Sequence, residues 1–311
     1  MKLFINGKTI EDFFEQTMYF DFAAFIRYNF KAIFRASGKN YRLTPKRVLV
    51  LFVWLIVYIP VELIYHLFLL LDEVFFPRYH QQEITRPIFI IGNPRSGTTF
   101  LHRLMDEDAE HFTSFKVWEL IFAPSITQRK LIQGFSKIAR WVGVPVQKRI
   151  QALNKRLKRT NGAHAIRIDA AEEDEHILIH GFCSAGLWPL YPIPEELLPY
   201  FCFDRDVPYK QQERVMKLYR NMLQRHLYAH GGKLTLLSKN PAQTAKIDSL
   251  LRFFPDARII NLARNPLETL PSMMDYMANG WELFCSPIEE YPHKNEFFEV
   301  MGYYYRYPIE Y

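Results

Sequence analysis

A three-layer α/β domain with a mostly parallel sheet is the fold class this sequence predicts, and three short apolar runs predict it. Ile88 to Ile91, Leu234 to Leu237 and Ala257 to Leu262 each have the length of a buried strand. Each gives way to a loop carrying a lysine or an arginine and then to residues at helical spacing, the order that builds parallel sheets with helices on their faces. Open sheets of this kind gather ligands at the carboxyl ends of their strands, so the three loops are where chemistry is expected.

With 311 residues, 49% of them hydrophobic, the chain can bury the core of one large domain or of a domain with an appendage. Residues 1–80 read as a helical, basic and apolar N-terminal region and 81–311 as the main domain, with a helical insertion from about 120 to 230. A formal charge of +6 favours an anionic partner, whether nucleotide, lipid headgroup or acidic substrate. No ribbon of interleaved aromatic and basic residues points to nucleic acid, and nothing sets an oligomeric state. Cys183, Cys202 and Cys285 are too few and too scattered for a disulfide framework or a zinc site. Together with the lack of an Asn-x-Ser/Thr sequon, they fit a reducing cytoplasm.

The most apolar stretch, residues 48–71, is long enough to cross a bilayer as one straight helix. Pro60 interrupts it near the middle, and Glu62 and His66 would lie near the hydrocarbon centre, at about 2.5 to 3.5 kcal/mol for the acid. The preceding segment from Arg27 to Arg47 is basic and free of acids, which keeps this end cytoplasmic, and one crossing would export everything after residue 71. The expectation is therefore a bent hairpin or an in-plane element that enters one leaflet, with its basic run on anionic headgroups. A buried helix pair in a soluble protein is the other reading.

Ile88 to Gly92 predicts a buried strand and Gly97 onward a helix, with Phe100, Leu101, Leu104 and Met105 facing inward. Their junction aims backbone N–H groups and a helix N-terminus at one point, an anion site whatever the side chains. The spacing is that of a P-loop, but Thr98 stands where a Walker A loop has its lysine, and Arg95 supplies the cation instead. Thr98 and Thr99 add hydroxyls, and no strand ends in a Walker B aspartate. Such a P-loop-type domain holds a phosphate whose transferable end needs no metal.

Pro94-Arg95-Ser96-Gly97-Thr98-Thr99, followed by Phe100-Leu101, resembles the 5′-phosphosulfate loop of sulfotransferases that use 3′-phosphoadenylyl sulfate (PAPS). The likeness is to the branch of bacterial and tyrosylprotein sulfotransferases whose loop carries arginine. Ser238-Lys239-Asn240-Pro241-Ala242 is similar to the family's Lys-Ser/Asp-Pro block, and the segment from Arg264 to Ser272 to its 3′-phosphate block. The resemblance implies that Arg264 and Ser272 clamp that phosphate, that Arg95 and Lys239 stabilise the leaving group, and that the reaction sulfates a hydroxyl or an amine. It covers residues 88 to about 307, and family members continue beyond the point where residue 311 falls, so the sequence reads as shortened. A magnesium-dependent P-loop kinase is the first rival, disfavoured by the missing lysine, and a truncated nucleotide-binding paralogue without turnover is the second.

A general base must take the acceptor's proton. Glu119 follows the loop helix, in a region where related enzymes often place their catalytic glutamate, and is the first candidate. The cluster Glu172-Glu173-Asp174-Glu175 resembles an acceptor-side block of the bacterial branch and offers Glu173 as the second, since crowded carboxylates titrate late. His176 and His180 lie one turn apart without a third metal ligand, and His102 reads as a packing or phosphate-contact residue. Between Leu120 and Ile168 there is no acid, but cations interleave with Leu131, Phe135, Ile138 and Trp141. This run reads as a solvated face or as an amphipathic lid against anionic lipid, which would suit a lipid, glycolipid or hydrophobic alcohol as acceptor.

Overall fold

The structure, a computed structural model, describes residues 4–5, 8–9, 17–34, 42–160, 167–191, 193–284, 291 and 293–311. Arg35, Lys39 and Cys285 lie outside the described residues. A short hairpin pairs β1 (Phe4–Ile5) with β2 (Lys8–Thr9). The central sheet holds β3 (Ile88–Gly92), β4 (Phe112–Thr113), β5 (Thr235–Lys239) and β6 (Arg258–Leu262), all parallel and in the order β4-β5-β3-β6. All three apolar runs form strands, and Ser238 and Lys239 are drawn into the second of them.

In chain order the helices are α1 (Phe22–Phe34), α2 (Pro45–Phe75), α3 (Thr98–Asp106), α4 (Val117–Ile121), α5 (Ile126–Trp141), α6 (Val146–Thr160) and α7 (His176–His180). Then come α8 (Pro194–Phe201), α9 (Phe203–Asp206), α10 (Tyr209–Ala229), α11 (Ile247–Phe253), α12 (Pro266–Phe284) and α13 (Lys294–Glu310).

Period-two alternation along β3 makes the three layers. Ile88 and Ile90 point to one side, packing with Leu237 against Leu101 and Met105 of α3. Phe89 and Ile91 point to the other, into a core shared with α10, α11, α13 and the N-terminal helices. Phe89 meets the rings of Tyr219 and Phe254 there, with centroids 6.5 and 5.5 Å away. Only part of the inward stripe expected on α3 is observed. Phe100 is 75% exposed and Leu104 59%, while Thr98 and His102 are buried. Of the four apolar residues, Leu101 and Met105 alone pack on the sheet, because a nine-residue helix touching it on one side can present only one narrow row.

Of the two forms expected for the N-terminal region, a bent hairpin or an in-plane element, the hairpin is not what forms. α2 opens at Thr44, whose hydroxyl accepts the Arg47 N–H at 3.3 Å, with Pro45 in the first turn, and runs unbroken for 31 residues through Pro60. Pro60 lies on the outward side, where a helix bends most easily, so losing one hydrogen bond does not end the helix. Glu62 does not face lipid either. It accepts a hydrogen bond from His180 Nδ1 at 2.7 Å, while His180 Nε2 donates to the Leu120 carbonyl at 3.1 Å. Burial opposes charge on that ring, but the Glu62 carboxylate outweighs it and raises the histidine's pKa.

Asp72, wholly buried at the other end of α2, accepts Arg225 Nε at 3.0 Å and the Ile126 and Thr127 N–H groups at 2.9 and 2.8 Å. One carboxylate thus caps α5 and neutralises α10. Removing one partner of a buried pair of this kind costs about 3 to 5 kcal/mol, so α2 is held firmly against the sheet domain.

Candidate active site

Gly92 closes β3 at φ +132°, and a Cβ there would lie 2.0 Å from the Leu262 carbonyl oxygen. Only glycine lets β6 approach so closely while the chain turns. Thr244 locks the turn, accepting the Gly92 N–H at 2.8 Å and donating to its carbonyl at 3.1 Å. Arg95 is then held at φ +68°, a conformation unfavourable for arginine of the sort found where function fixes a loop. Gly97, at φ +93°, starts α3, whose first amides have no carbonyl behind them. Ser96 Oγ and Asn93 Nδ2 are buried without a hydrogen-bond partner.

The loop edges a cleft of about 740 Å³. Pro94, Arg95, Gly97, Thr98 and Thr99 line it, and Arg264, Ser272, Glu172 and Glu173 join them from three other segments. Parallel register explains part of this meeting: β3 and β6 end together where Gly92 pairs with Leu262, and β5 ends two residues lower, where Lys239 pairs with Ile90. Arg95 Nε donates to Ser272 Oγ at 2.9 Å, and Arg264 Nη1 to the Arg95 carbonyl at 3.4 Å. Arg264 also pairs with Glu268 one helical turn on, its Nε 2.6 Å from Oε2. Lys239 lies beneath the cleft floor, fully buried, donating to Thr99 Oγ1 at 3.1 Å and to Glu173 Oε1 at 2.6 Å.

Glu119, the first candidate base, is not brought to the cleft. It is fully buried in α4, where Oε2 accepts the Lys116 N–H at 2.9 Å and Oε1 accepts His230 Nε2 at 2.8 Å, with Arg129 Nη1 3.7 Å away. Burial alone would raise its pKa, but Arg129 and the His230 bond outweigh burial and hold the carboxyl well below the usual range. Such a group stays ionised and has no path to an acceptor. Glu119, His226 and His230 form the one cluster, among the described residues, with metal-ligand spacing. Both His226 nitrogens are already taken, Nδ1 by Arg129 Nη1 and Nε2 by Thr113 Oγ1, each at 2.9 Å. Arg129 is the cation of this cluster.

The acidic segment divides by burial. Glu173 faces the cleft, whereas Asp174 is buried behind it, accepting Tyr219 Oη and Ser238 Oγ at 2.6 Å each. Burial raises the Asp174 pKa to about 6. Glu175 pairs with Lys246 at 2.9 Å. His176 lines the cleft, and His180 is engaged by Glu62, so the two do not converge on a metal. His102 is buried against Ser114, and burial followed by the Lys239 charge pushes its pKa down to about 3.

The far wall of the cleft is apolar, and sequence reading missed it. Met273, Met277 and Trp281 of α12 and Phe297, Met301 and Tyr304 of α13 line it, with Trp188 beside them. Their spacing of three and four residues was the available signal. Among the described residues, none between 122 and 167 lines the cleft, so α5 and α6 do not form the lid expected over it. α5 packs beside the far end of α2, where Lys130 Nζ lies 5.4 Å from the Phe76 ring centroid.

Two curated relatives are the omega-hydroxy-beta-dihydromenaquinone-9 sulfotransferases Stf3 of Mycobacterium bovis (strain ATCC BAA-935 / AF2122/97) and Mycobacterium tuberculosis (strain CDC 1551 / Oshkosh). Each is 30% identical over 188 residues, covering 60% of this chain and 44% of the relative, so the chain spans less than half of their length. Crystal structures of sulfotransferase STF1 from Mycobacterium tuberculosis H37Rv and STF9 from Mycobacterium avium share the fold, each with a TM-score of 0.66. STF1 is 17% identical, with 98% of this chain and 81% of that one covered; STF9 is 19% identical, with 99% and 76% covered. The profile of the sulfotransferase family matches residues 87–299. That match begins just before β3, takes in the loop, the acidic segment, Lys239 and Arg264, and runs into α13; the chain belongs to the sulfotransferase family.

Proposed function

We propose that this chain moves a sulfuryl group from PAPS to a hydroxyl of a lipid-like acceptor at the cytoplasmic face of a membrane. The observation that carries the reading is the cleft itself, with cations and hydroxyls from three strand ends at one side and an apolar wall at the other. Its loop fits a phosphosulfate: the amides opening α3, the buried unpartnered Ser96 hydroxyl and the Thr98 and Thr99 hydroxyls are all donors beside the Arg95 guanidinium. Arg264 and Ser272 would hold the 3′-phosphate. When bound, PAPS supplies the sulfuryl group and a bisphosphate leaving group.

The protein's own part is electrostatic and acid–base. Lys239, between Thr99 and Glu173, places a buried positive charge beside the group the loop holds, which is worth more in a site shielded from water. Glu173 accepts the acceptor's proton, being the cleft-lining acid that Lys239 holds beside Thr99 of that loop. The methionine and aromatic wall supports an acceptor with a long apolar body, and the curated relatives are named for an omega-hydroxylated menaquinone derivative.

Calorimetric titration with adenosine 3′,5′-bisphosphate, with AMP, and with ATP plus magnesium tests the donor site. Preference for the bisphosphate is expected, and preference for ATP with magnesium would overturn the reading. With PAPS and a long-chain isoprenoid alcohol, Glu173→Gln should lower turnover by about 10² to 10⁴ while leaving bisphosphate binding intact. Near-normal turnover would remove Glu173 from its role.

A further inference from the structure

α2 is an inside-out amphipathic helix. Its buried stripe contains the charged groups Arg47, Glu62, Asp72 and Glu73, while Phe52, Ile56, Leu63 and Leu67 are more than half exposed. The charged stripe has its partners inside the protein, where Arg225 serves Asp72 and Glu73 and His180 serves Glu62. The outward face is therefore apolar along the helix's whole length. α1 continues it on one side, with Phe25 stacked 6.1 Å from Tyr58, and α5 continues it on the other, ending in Trp141 at 87% exposure.

We propose that this shared face of α1, α2 and α5 docks on an anionic bilayer, with α2 lying in the plane of the interface. Three observations choose that occupant. The sequence from 121 to 167 is basic and acid-free, and Lys130, Lys137 and Arg140 are exposed on α5 beside the face, which suits anionic headgroups. A crossing is ruled out by geometry: Arg47 and Asp72 mark the two ends of one buried stripe, so any tilt across the bilayer would carry the packed sheet domain into hydrocarbon. The face also adjoins the cleft. Lys46 Nζ donates to the Glu282 carbonyl, next to Trp281 of the apolar wall, and His180 joins Glu62 to Leu120, next to Ile121, which also lines the cleft.

Docked in this way, the apolar end of the cleft lies at the lipid surface, and an acceptor presents its hydroxyl while its body stays in lipid. The route of the acceptor rests on the sulfotransferase reading; the docking surface does not.

The test is flotation of the full chain with phosphatidylcholine vesicles, with and without phosphatidylglycerol, run alongside bisphosphate calorimetry. Flotation is expected with the anionic vesicles and should weaken as salt rises. Phe52→Glu, Ile56→Glu and Leu63→Glu together should lower the partition coefficient by about 100-fold or more with bisphosphate affinity unchanged. Lys137→Glu with Arg140→Glu, a pair remote from the core, should lower it by about 10-fold. Absence of wild-type flotation overturns the proposal, and a concentration-dependent dimer dissolved by the same glutamates would assign the face to a second copy instead. Flotation without bisphosphate binding supports docking and overturns the sulfotransferase reading.

Discussion

Glu119→Gln separates a buried structural carboxylate from a catalytic one. The wild-type carboxylate accepts from His230 and from the Lys116 amide and is the buried counter-charge of Arg129. Glutamine keeps one acceptor oxygen, turns a donor toward groups that themselves donate, and leaves the buried Arg129 guanidinium without its nearest opposing charge. Stranding one member of a buried pair costs about 3 to 5 kcal/mol. At roughly 1.5 °C per kcal/mol for a chain of this size, the unfolding midpoint should fall by about 5 to 8 °C. The acid limb should change as well. The folded pKa of Glu119 is depressed from an ordinary value of 4.5, so its contribution is fully present above that pH and is lost as pH falls below it. The variant should therefore be least different from wild type at low pH. Calorimetric unfolding between pH 4 and 7.5, with bisphosphate binding measured at a temperature where both proteins are folded, checks both points. A midpoint within about 2 °C of wild type together with abolished sulfuryl transfer would refute the reasoning and return Glu119 to the reaction.

Arg264→Ala should weaken binding of adenosine 3′,5′-bisphosphate by about 10- to 150-fold and leave AMP nearly unchanged, by calorimetry, since the lost contact is a charge-assisted one. Glu268→Gln should act oppositely, freeing Arg264 from an exposed pair worth at most about 1 kcal/mol and tightening bisphosphate binding no more than about 5-fold. Asp174 has a folded pKa raised from 3.8 to about 6, so its contribution is greatest at low pH and is lost as pH rises through about 6. The difference is worth about 3 kcal/mol, and Asp174→Asn should flatten the urea midpoint between pH 4 and 7 by a comparable amount. Gly92→Ala cannot be accommodated 2.0 Å from the Leu262 carbonyl and should abolish bisphosphate binding or soluble expression, whereas Gly97→Ala, with open space around it, should cost only about 1 to 2 kcal/mol of backbone strain in thermal unfolding.

What the sequence determined by itself is local. Three apolar runs ending in Arg95, Lys239 and Arg264 fall within windows of about ten residues, and the parallel order of such units follows from their repetition. The anion-binding loop was legible for the same reason, since glycine and arginine positions around a strand end dictate the turn before any long-range contact forms. The choice between Glu119 and Glu173 was not legible. Both are acids in helical surroundings, and what separates them is His230, 111 residues from Glu119, and Lys239, 66 residues from Glu173. The orientation of α2 was decided in the same way. Its hydropathy suits a bilayer crossing or a buried helix equally well, and Arg225, 153 residues from Asp72, with His180, 118 residues from Glu62, turns the charged stripe inward and leaves the apolar face outside. A charge's cost and role depend on the dielectric and the partners around it, and those are brought together by tertiary packing alone.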